Sequence, residues 1–288
     1  MKKTILITGA NGQLGTDLVH LVDASSYEVV AFTKQGLDIT DYPVVEETIQ
    51  RIKPDWILHA AAYTNVEAAE DEGKAMNWLV NATGTENVAK AAKQAGAKMI
   101  YVSTDYVFDG TKTTEYEVTD QVNPLNEYGK AKLAGEQAVQ NILSEDGYVI
   151  RTSWVFGVHG NNFVYTMMKL AETRSELNVV ADQFGRPTFS EDLARFMLYL
   201  VGDFKIPGGV YHFSNDESCS WYEFATEILA DTTTTVNACN SDAFPQKAKR
   251  PVQSILSLSS LKNTGFTIAT WNDALNRFKN ISKTTQRN

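Results

Sequence analysis

The sequence predicts an α/β fold: a doubly wound parallel sheet with a smaller C-terminal domain behind it. Two observations carry that prediction. Short apolar, β-branched runs alternate with helix-periodic segments through the first half of the chain. A glycine-bearing turn stands directly between the first run and the first helical segment.

Taken in order, residues 4–8, 28–32, 55–59, 98–103 and 148–152 are each too short for a helix and bounded by turn residues, so they read as buried parallel strands. Between them, residues 13–22, 44–52, 75–95 and 128–142 carry alanine-rich or periodic apolar faces, and Gly96 ends the third. The βαβαβαβαβ order implies right-handed crossovers, helices on both faces and a Rossmann-type sheet that takes ligands at the carboxyl ends of its strands. Beyond Trp154 the pattern loosens. Helices are expected near 162–174, 190–201 and 221–230, with short strands near 177–180 and 210–213. The expected division is therefore a dinucleotide-binding domain over residues 1–153 and a mainly substrate-binding domain over 154–288, with segments returning to the first. The four threonines at 232–235 read as a turn, and the polar stretch 282–288 as a frayed end.

Composition narrows the function. A chain of 288 residues, 43% hydrophobic and 21% charged, is globular in character and holds no apolar run long enough to cross a bilayer. No signal-peptide apolar region follows Met1-Lys2-Lys3, so a cytoplasmic location is expected. The formal net charge of −9 argues against a general nucleic-acid surface. Cys219 and Cys239 lie far from any metal-ligand spacing and read as reduced thiols. The four histidines, His20, His59, His159 and His212, show no metal-ligand spacing, and no serine sits in a nucleophile elbow. A small-molecule enzyme of another kind is left.

The turn Gly9-Ala10-Asn11-Gly12-Gln13-Leu14-Gly15 supplies the cofactor signal. A tight turn needs a residue free of Cβ strain, a pyrophosphate needs close backbone approach, and the helix must pack tightly on the sheet. Gly9, Gly12 and Gly15 can serve these needs in turn. The second strand ends in Phe32-Thr33-Lys34 and lacks the acid that would accept hydrogen bonds from the ribose of NAD. NADPH is therefore preferred, with NADH the alternative. Lys34 either pairs with a 2′-phosphate or is simply solvated, and Asp38 and Ile39 are placed to flank the adenine.

A catalytic signal follows the fourth strand, which ends in Ser103-Thr104-Asp105, while Tyr128 and Lys132 stand one turn apart on one helix face. A free tyrosine titrates near pH ~10, and an acid or base working near neutrality needs a value about 3 units lower, a differential stabilisation of roughly 4 kcal/mol. An adjacent ammonium can contribute to that. The plainer alternative is a half-buried tyrosine beside an exposed lysine.

These motifs resemble the extended short-chain dehydrogenase/reductases, whose catalytic set is Ser or Thr, Tyr and Lys, and the likeness runs through nearly the whole chain. More narrowly, Thr8-Gly9-Ala10-Asn11-Gly12-Gln13-Leu14-Gly15, Ala61-Ala62-Tyr63-Thr64, Ser103-Thr104-Asp105-Tyr106-Val107-Phe108-Asp109-Gly110 and Asp182-Gln183-Phe184-Gly185-Arg186-Pro187-Thr188 resemble the dTDP-4-dehydrorhamnose reductases. That resemblance implies NADPH-dependent reduction of a dTDP-linked keto-sugar. Thr104 would hydrogen-bond the carbonyl, Tyr128 protonate the alkoxide, and Lys132 hold the nicotinamide ribose. It further implies that Ala60, Ala61, Ala62 and Tyr63 line the cofactor, that Thr64, Val66, Tyr106 and Trp154 surround the sugar, and that Asn162 and Arg250 contact the diphosphate. Core packing for Trp154 and a solvated charge for Arg250 are the alternatives. Related dehydratases place an Asp-Glu pair after the threonine, and this chain has Asp105-Tyr106 there. Asp17 and Glu191 match two positions that hold magnesium at a dimer interface in some relatives. The tail after Ser282 has no carboxylate side chain, so no metal and a monomer or weak homodimer are expected. Two rival functions remain, a reductase for another nucleotide-linked keto-sugar and a non-catalytic NADP-binding regulatory subunit.

Overall fold

Six strands, one more than the sequence predicts, form the central sheet among the residues described, 2–202 and 206–285. In this computed structural model the first half of the chain comprises β1 (Lys3–Thr8), α1 (Gln13–Leu21), β2 (Tyr27–Phe32), α2 (Tyr42–Ile52), β3 (Trp56–His59), α3 (Lys74–Trp78), α4 (Thr85–Ala95), β4 (Lys98–Thr104), α5 (Glu127–Leu143) and β5 (Gly147–Thr152). Then come β6 (Val155–Phe156), α6 (Phe163–Ala171), β7 (Glu176–Val180), β8 (Phe184–Gly185), β9 (Thr188–Phe189), α7 (Ser190–Val201) and β10 (Gly209–His212). The chain continues through β11 (Cys219–Ser220), α8 (Trp221–Ile228), β12 (Thr235–Cys239), α9 (Ser259–Lys262) and α10 (Trp271–Thr285).

The sheet order is β10-β5-β4-β3-β1-β2, and every pairing in it is parallel. The chain runs outward one way from β1 to β2 and then crosses to β3 on the other side, so a crevice opens between the carboxyl ends of β1 and β3. Period-two alternation divides the core. Ile5, Ile7, Leu58, Ile100 and Ile150 face α1 and α7 on one side, while Leu6, Ile57, Met99 and Val149 face α2, α4 and α5 on the other. Truncating one of these fully buried aliphatic side chains to alanine costs about 2–5 kcal/mol.

Three elements from beyond residue 154, α7, β10 and α9, complete this layer. Leu193, Met197 and Leu200 of α7 pack with Leu14 and Leu18 of α1, and β10 pairs with β5 so that His212 stands opposite Arg151. The strand expected at 210–213 is thus an edge of the main sheet. Leu258 and Leu261 set α9 in the sheet-side cluster, and the aromatic cluster of Phe156, Phe189, Phe224, Trp271 and Phe278 gathers α6, α8, α10 and the short strands β6, β7 and β9. Among the described residues no helix is long and apolar enough to cross a membrane.

Three local expectations change. The single helix over 75–95 is broken by a π-helical stretch, Leu79–Gly84, between α3 and α4. There the Asn81 amide pairs both ways with the Tyr63 backbone, accepting from its N–H at 3.0 Å and donating to its carbonyl at 2.8 Å. The turn expected at 232–235 ends one residue early, because Thr235 opens β12, which adds to β7 in parallel. Residues 282–285 continue α10 instead of fraying, and 286–288 lie outside the described residues.

Candidate active site

The turn after β1 is built around its glycines. Gly9 has φ +69°, and a Cβ there would lie 2.6 Å from the Ala61 backbone nitrogen. A Cβ on Gly15 would fall 2.0 Å from the Gly9 carbonyl oxygen, so α1 packs directly on the turn. Gly12 is the N-cap of α1 and offers no capping side chain, and the first turn carries no acid, which leaves its N–H groups to an anion. The space around Gly12 is more open, with only the Gly9 carbonyl oxygen within 4 Å of an added Cβ, at 3.3 Å. These features fit a dinucleotide pyrophosphate.

From this turn a trough runs along the carboxyl ends of the strands. One end, about 240 Å³, is lined by Gly9, Asn11 and Gly12, by Lys34, Asp38 and Ile39, and by Ala60, Ala61, Ala62 and Tyr63. Leu37, Met76 and Val80 complete its apolar wall. Sequence reading missed these three because nothing marks an apolar residue as ligand-facing. Lys34 is exposed at the rim. Asp38 accepts from the Thr40 N–H at 3.0 Å and its hydroxyl at 2.7 Å, and these bonds hold its carboxyl below the ordinary value.

The middle section, about 460 Å³, has Gly12, Gln13, Leu14 and Gly15 on one side and Ala60–62, Tyr128 and Lys132 on another. His59 also borders it but is 1% exposed, with Nδ1 bonded to Thr8 Oγ1 at 2.7 Å and Nε2 to Thr85 Oγ1 at 3.3 Å. Burial, with the Lys132 charge beside it, pushes the His59 imidazole down to about 3, so it is neutral.

Helix α5 presents the reactive pair because Asn126 caps it, accepting the Gly129 N–H at 2.8 Å. Lys132 is 2% exposed and donates to the Val102 carbonyl at 2.6 Å. Burial pulls its ammonium down to about 7, with Glu136 pulling the other way. Tyr128 departs from the expected lowering. Burial, the Asp105 charge and Tyr106 raise its phenol well above the usual value, and only the Thr104 hydroxyl opposes them. The Lys132 ammonium is directed at the Val102 carbonyl. Thr104 accepts from the Tyr106 N–H at 3.2 Å and donates to Asp105 at 3.1 Å. Asp105 also accepts from the Ser254 hydroxyl, and burial pushes its carboxyl up to about 6.

A third section, about 410 Å³, brings together Thr64, Val66, Thr104, Tyr106, Tyr128, Trp154 and Arg250. It shares Phe163, Trp221 and Arg250 with a further cavity of about 580 Å³ that also reaches Asn178 and Gln183. Trp154, at φ +49°, stacks on Trp221 with ring centres 3.5 Å apart and planes at 12°. Arg250 pairs with Glu67 at 3.1 Å.

A family model described as the RmlD substrate binding domain matches residues 1–283. The chain belongs to this family. It is 42% identical to a dTDP-4-dehydrorhamnose reductase of Aggregatibacter actinomycetemcomitans, with 96% of this chain and 97% of that protein aligned. It is 40% identical to the spore coat polysaccharide biosynthesis protein SpsK of Bacillus subtilis, over 95% and 96% of the two chains. Among solved structures, a dTDP-4-dehydrorhamnose reductase of Bacillus anthracis in complex with NADP superposes with a TM-score of 0.92 at 41% identity, covering 96% of this chain and 99% of that one.

One placement in this RmlD-family chain differs from expectation. Asn162 does not line the trough: its carbonyl caps α6 at the Tyr165 N–H (3.2 Å), and its amide donates to Gln13 (3.1 Å) and the Gly157 carbonyl (2.7 Å). Its neighbour Asn161 lines the second and third sections instead. Trp154 has one face against Trp221, a partner that no local pattern announces. The two candidate magnesium positions are engaged elsewhere, Asp17 accepting from the Ser190 hydroxyl and Glu191 pairing with Arg195 at 2.7 Å. Among the described residues no group of three His, Cys, Asp or Glu side chains could hold a metal ion.

Proposed function

We propose that this chain reduces the 4-keto group of dTDP-6-deoxy-L-lyxo-4-hexulose to give dTDP-L-rhamnose. The observation that carries this reading is that Tyr128 lines both the section beside the glycine turn and the section holding Thr104 and Arg250. One phenol therefore serves a cofactor on one side and a carbonyl on the other. The names borne by full-length relatives at this identity point to the same substrate.

NADPH, held by the glycine turn, Lys34 and Lys132, supplies the hydride when bound. The residues do the rest. Thr104 turns its hydroxyl from Asp105 to the sugar carbonyl and so polarises it. Tyr128, whose raised value keeps it protonated, releases its proton only to a much stronger base, the alkoxide that forms when the carbonyl is reduced. Lys132, near 7, can carry charge toward the resulting phenolate. Arg250 is placed at the junction of the two outer cavities, where a diphosphate would span them.

The test is loss of reduced-nicotinamide absorbance with enzymatically generated keto-sugar, beside Tyr128→Phe. Substrate-dependent oxidation by the wild type and almost none by the variant is the expected result. A wild type that binds NADPH and leaves it unoxidised would overturn the assignment.

A further inference from the structure

The segment carrying Arg250 is tied to the catalytic helix by a single buried side chain. Asn126 is 1% exposed, and its amide faces two ways. The oxygen accepts from the Gly129 N–H in the first turn of α5 at 2.8 Å, while the nitrogen donates to the Lys249 carbonyl at 3.0 Å. A flipped amide would set N–H against N–H and oxygen against oxygen, so the chemistry allows one orientation. Tyr128 lies two residues after Asn126, and Arg250 directly follows Lys249. Nearby, Glu67 accepts from both the Lys247 N–H at 2.9 Å and Arg250 at 3.1 Å, which fixes the same segment from its other side.

We propose that Asn126 is a positioning residue that sets the substrate's diphosphate at a fixed distance from Tyr128, by binding the peptide before Arg250 to the start of the catalytic helix. This rests on the reading above, in which Arg250 holds a diphosphate. Helix capping alone does not demand asparagine, because aspartate caps equally well and suits the positive end of a helix. What aspartate lacks is the N–H for Lys249. The amide therefore answers a requirement of the Arg250 segment rather than of the helix.

Asn126→Asp separates the two roles, since it keeps the cap and sets a carboxylate against the Lys249 carbonyl. In the NADPH-loaded enzyme, the Kd for dTDP measured by calorimetry should rise about tenfold. The KM for the keto-sugar should rise with it, while kcat and NADPH affinity stay near wild type and Tm falls only by what a buried carboxylate facing a carbonyl costs. Asn126→Ala, which loses the cap as well, should add a fall in Tm. An Asn126→Asp enzyme with wild-type dTDP affinity would overturn the inference. So would one whose loss lies in kcat, NADPH affinity and Tm together, the signature of a purely structural cap. A wild type that does not bind dTDP removes the functional reading and this inference at once, which distinguishes the two failures.

Discussion

The Lys132 ammonium stands 4.2 Å from the centre of the Tyr101 ring, over a side chain that is itself fully buried. Ring and carbonyl together do not restore what water gave that charge, so the group sits near 7.

The first prediction concerns stability against pH. Unfolded, Lys132 titrates near ~10.4; folded, it titrates at about 7. Between those values the unfolded chain holds a proton the folded one lacks, so this group makes stability rise with pH across the window. Lys132→Met lacks that contribution. Without cofactor, the wild type should therefore gain Tm on the variant as pH climbs from about 7 toward ~10; parallel profiles would disprove the burial argument.

Removing the Thr104 hydroxyl should act on kcat more than on substrate binding. Thr104→Val is expected to lower kcat by about 10²–10³-fold with little change in KM, because the bond to the carbonyl oxygen strengthens as charge develops there. Steady-state kinetics decide it, and a rise in KM at constant kcat would place Thr104 in ground-state binding.

Glu136 and Arg151 form a buried pair at 2.8 Å, with side chains 1% and 6% exposed. Glu136→Gln leaves a guanidinium buried without its counter-charge and should cost about 3–5 kcal/mol in urea unfolding. The double variant with both residues changed to Met should recover most of it. A single variant within about 1 kcal/mol of wild type would show that water reaches the site.

The three glycines should separate under alanine substitution. Gly15→Ala meets the Gly9 carbonyl at 2.0 Å and Gly9→Ala adds backbone strain at φ +69°, so both should lower Tm. Gly12→Ala has only a 3.3 Å contact to absorb and should fold normally while binding NADPH about tenfold more weakly. Fluorescence titration beside thermal melts checks this. Equal NADPH affinity in Gly12→Ala would mean the backbone does not approach the ligand there.

Four of the six sheet strands were legible because a strand buried on both faces reads as a continuous apolar run; β2, also expected to be buried, is a half-exposed edge and was legible only as a short β-branched run between turns. The sixth, β10, has the same kind of signal, but position in sequence does not say which sheet a late strand joins. The glycine turn and the Tyr128–Lys132 spacing were equally legible, being local patterns with one physical use. What stayed hidden depends on contacts across the fold. Asn126 and Glu67 act through residues 123 and 183 positions away, and Trp221 meets Trp154 only once α8 is packed. The π-helical stretch is a similar case, since the demand that breaks the helix comes from the Tyr63 backbone.

Because β10 and α7 follow residue 154 yet belong to the cofactor-side layer, the two halves of the gene are not interchangeable cassettes. Recombination that grafts everything after Ser153 from a relative, in order to change the sugar accepted, also exchanges one edge of the sheet and one of its covering helices. Any such graft must keep those borrowed pieces matched to Leu14, Leu18 and β5. The part of the C-terminal half that can vary without disturbing the sheet is therefore its loops and short helices, a smaller unit than the half itself.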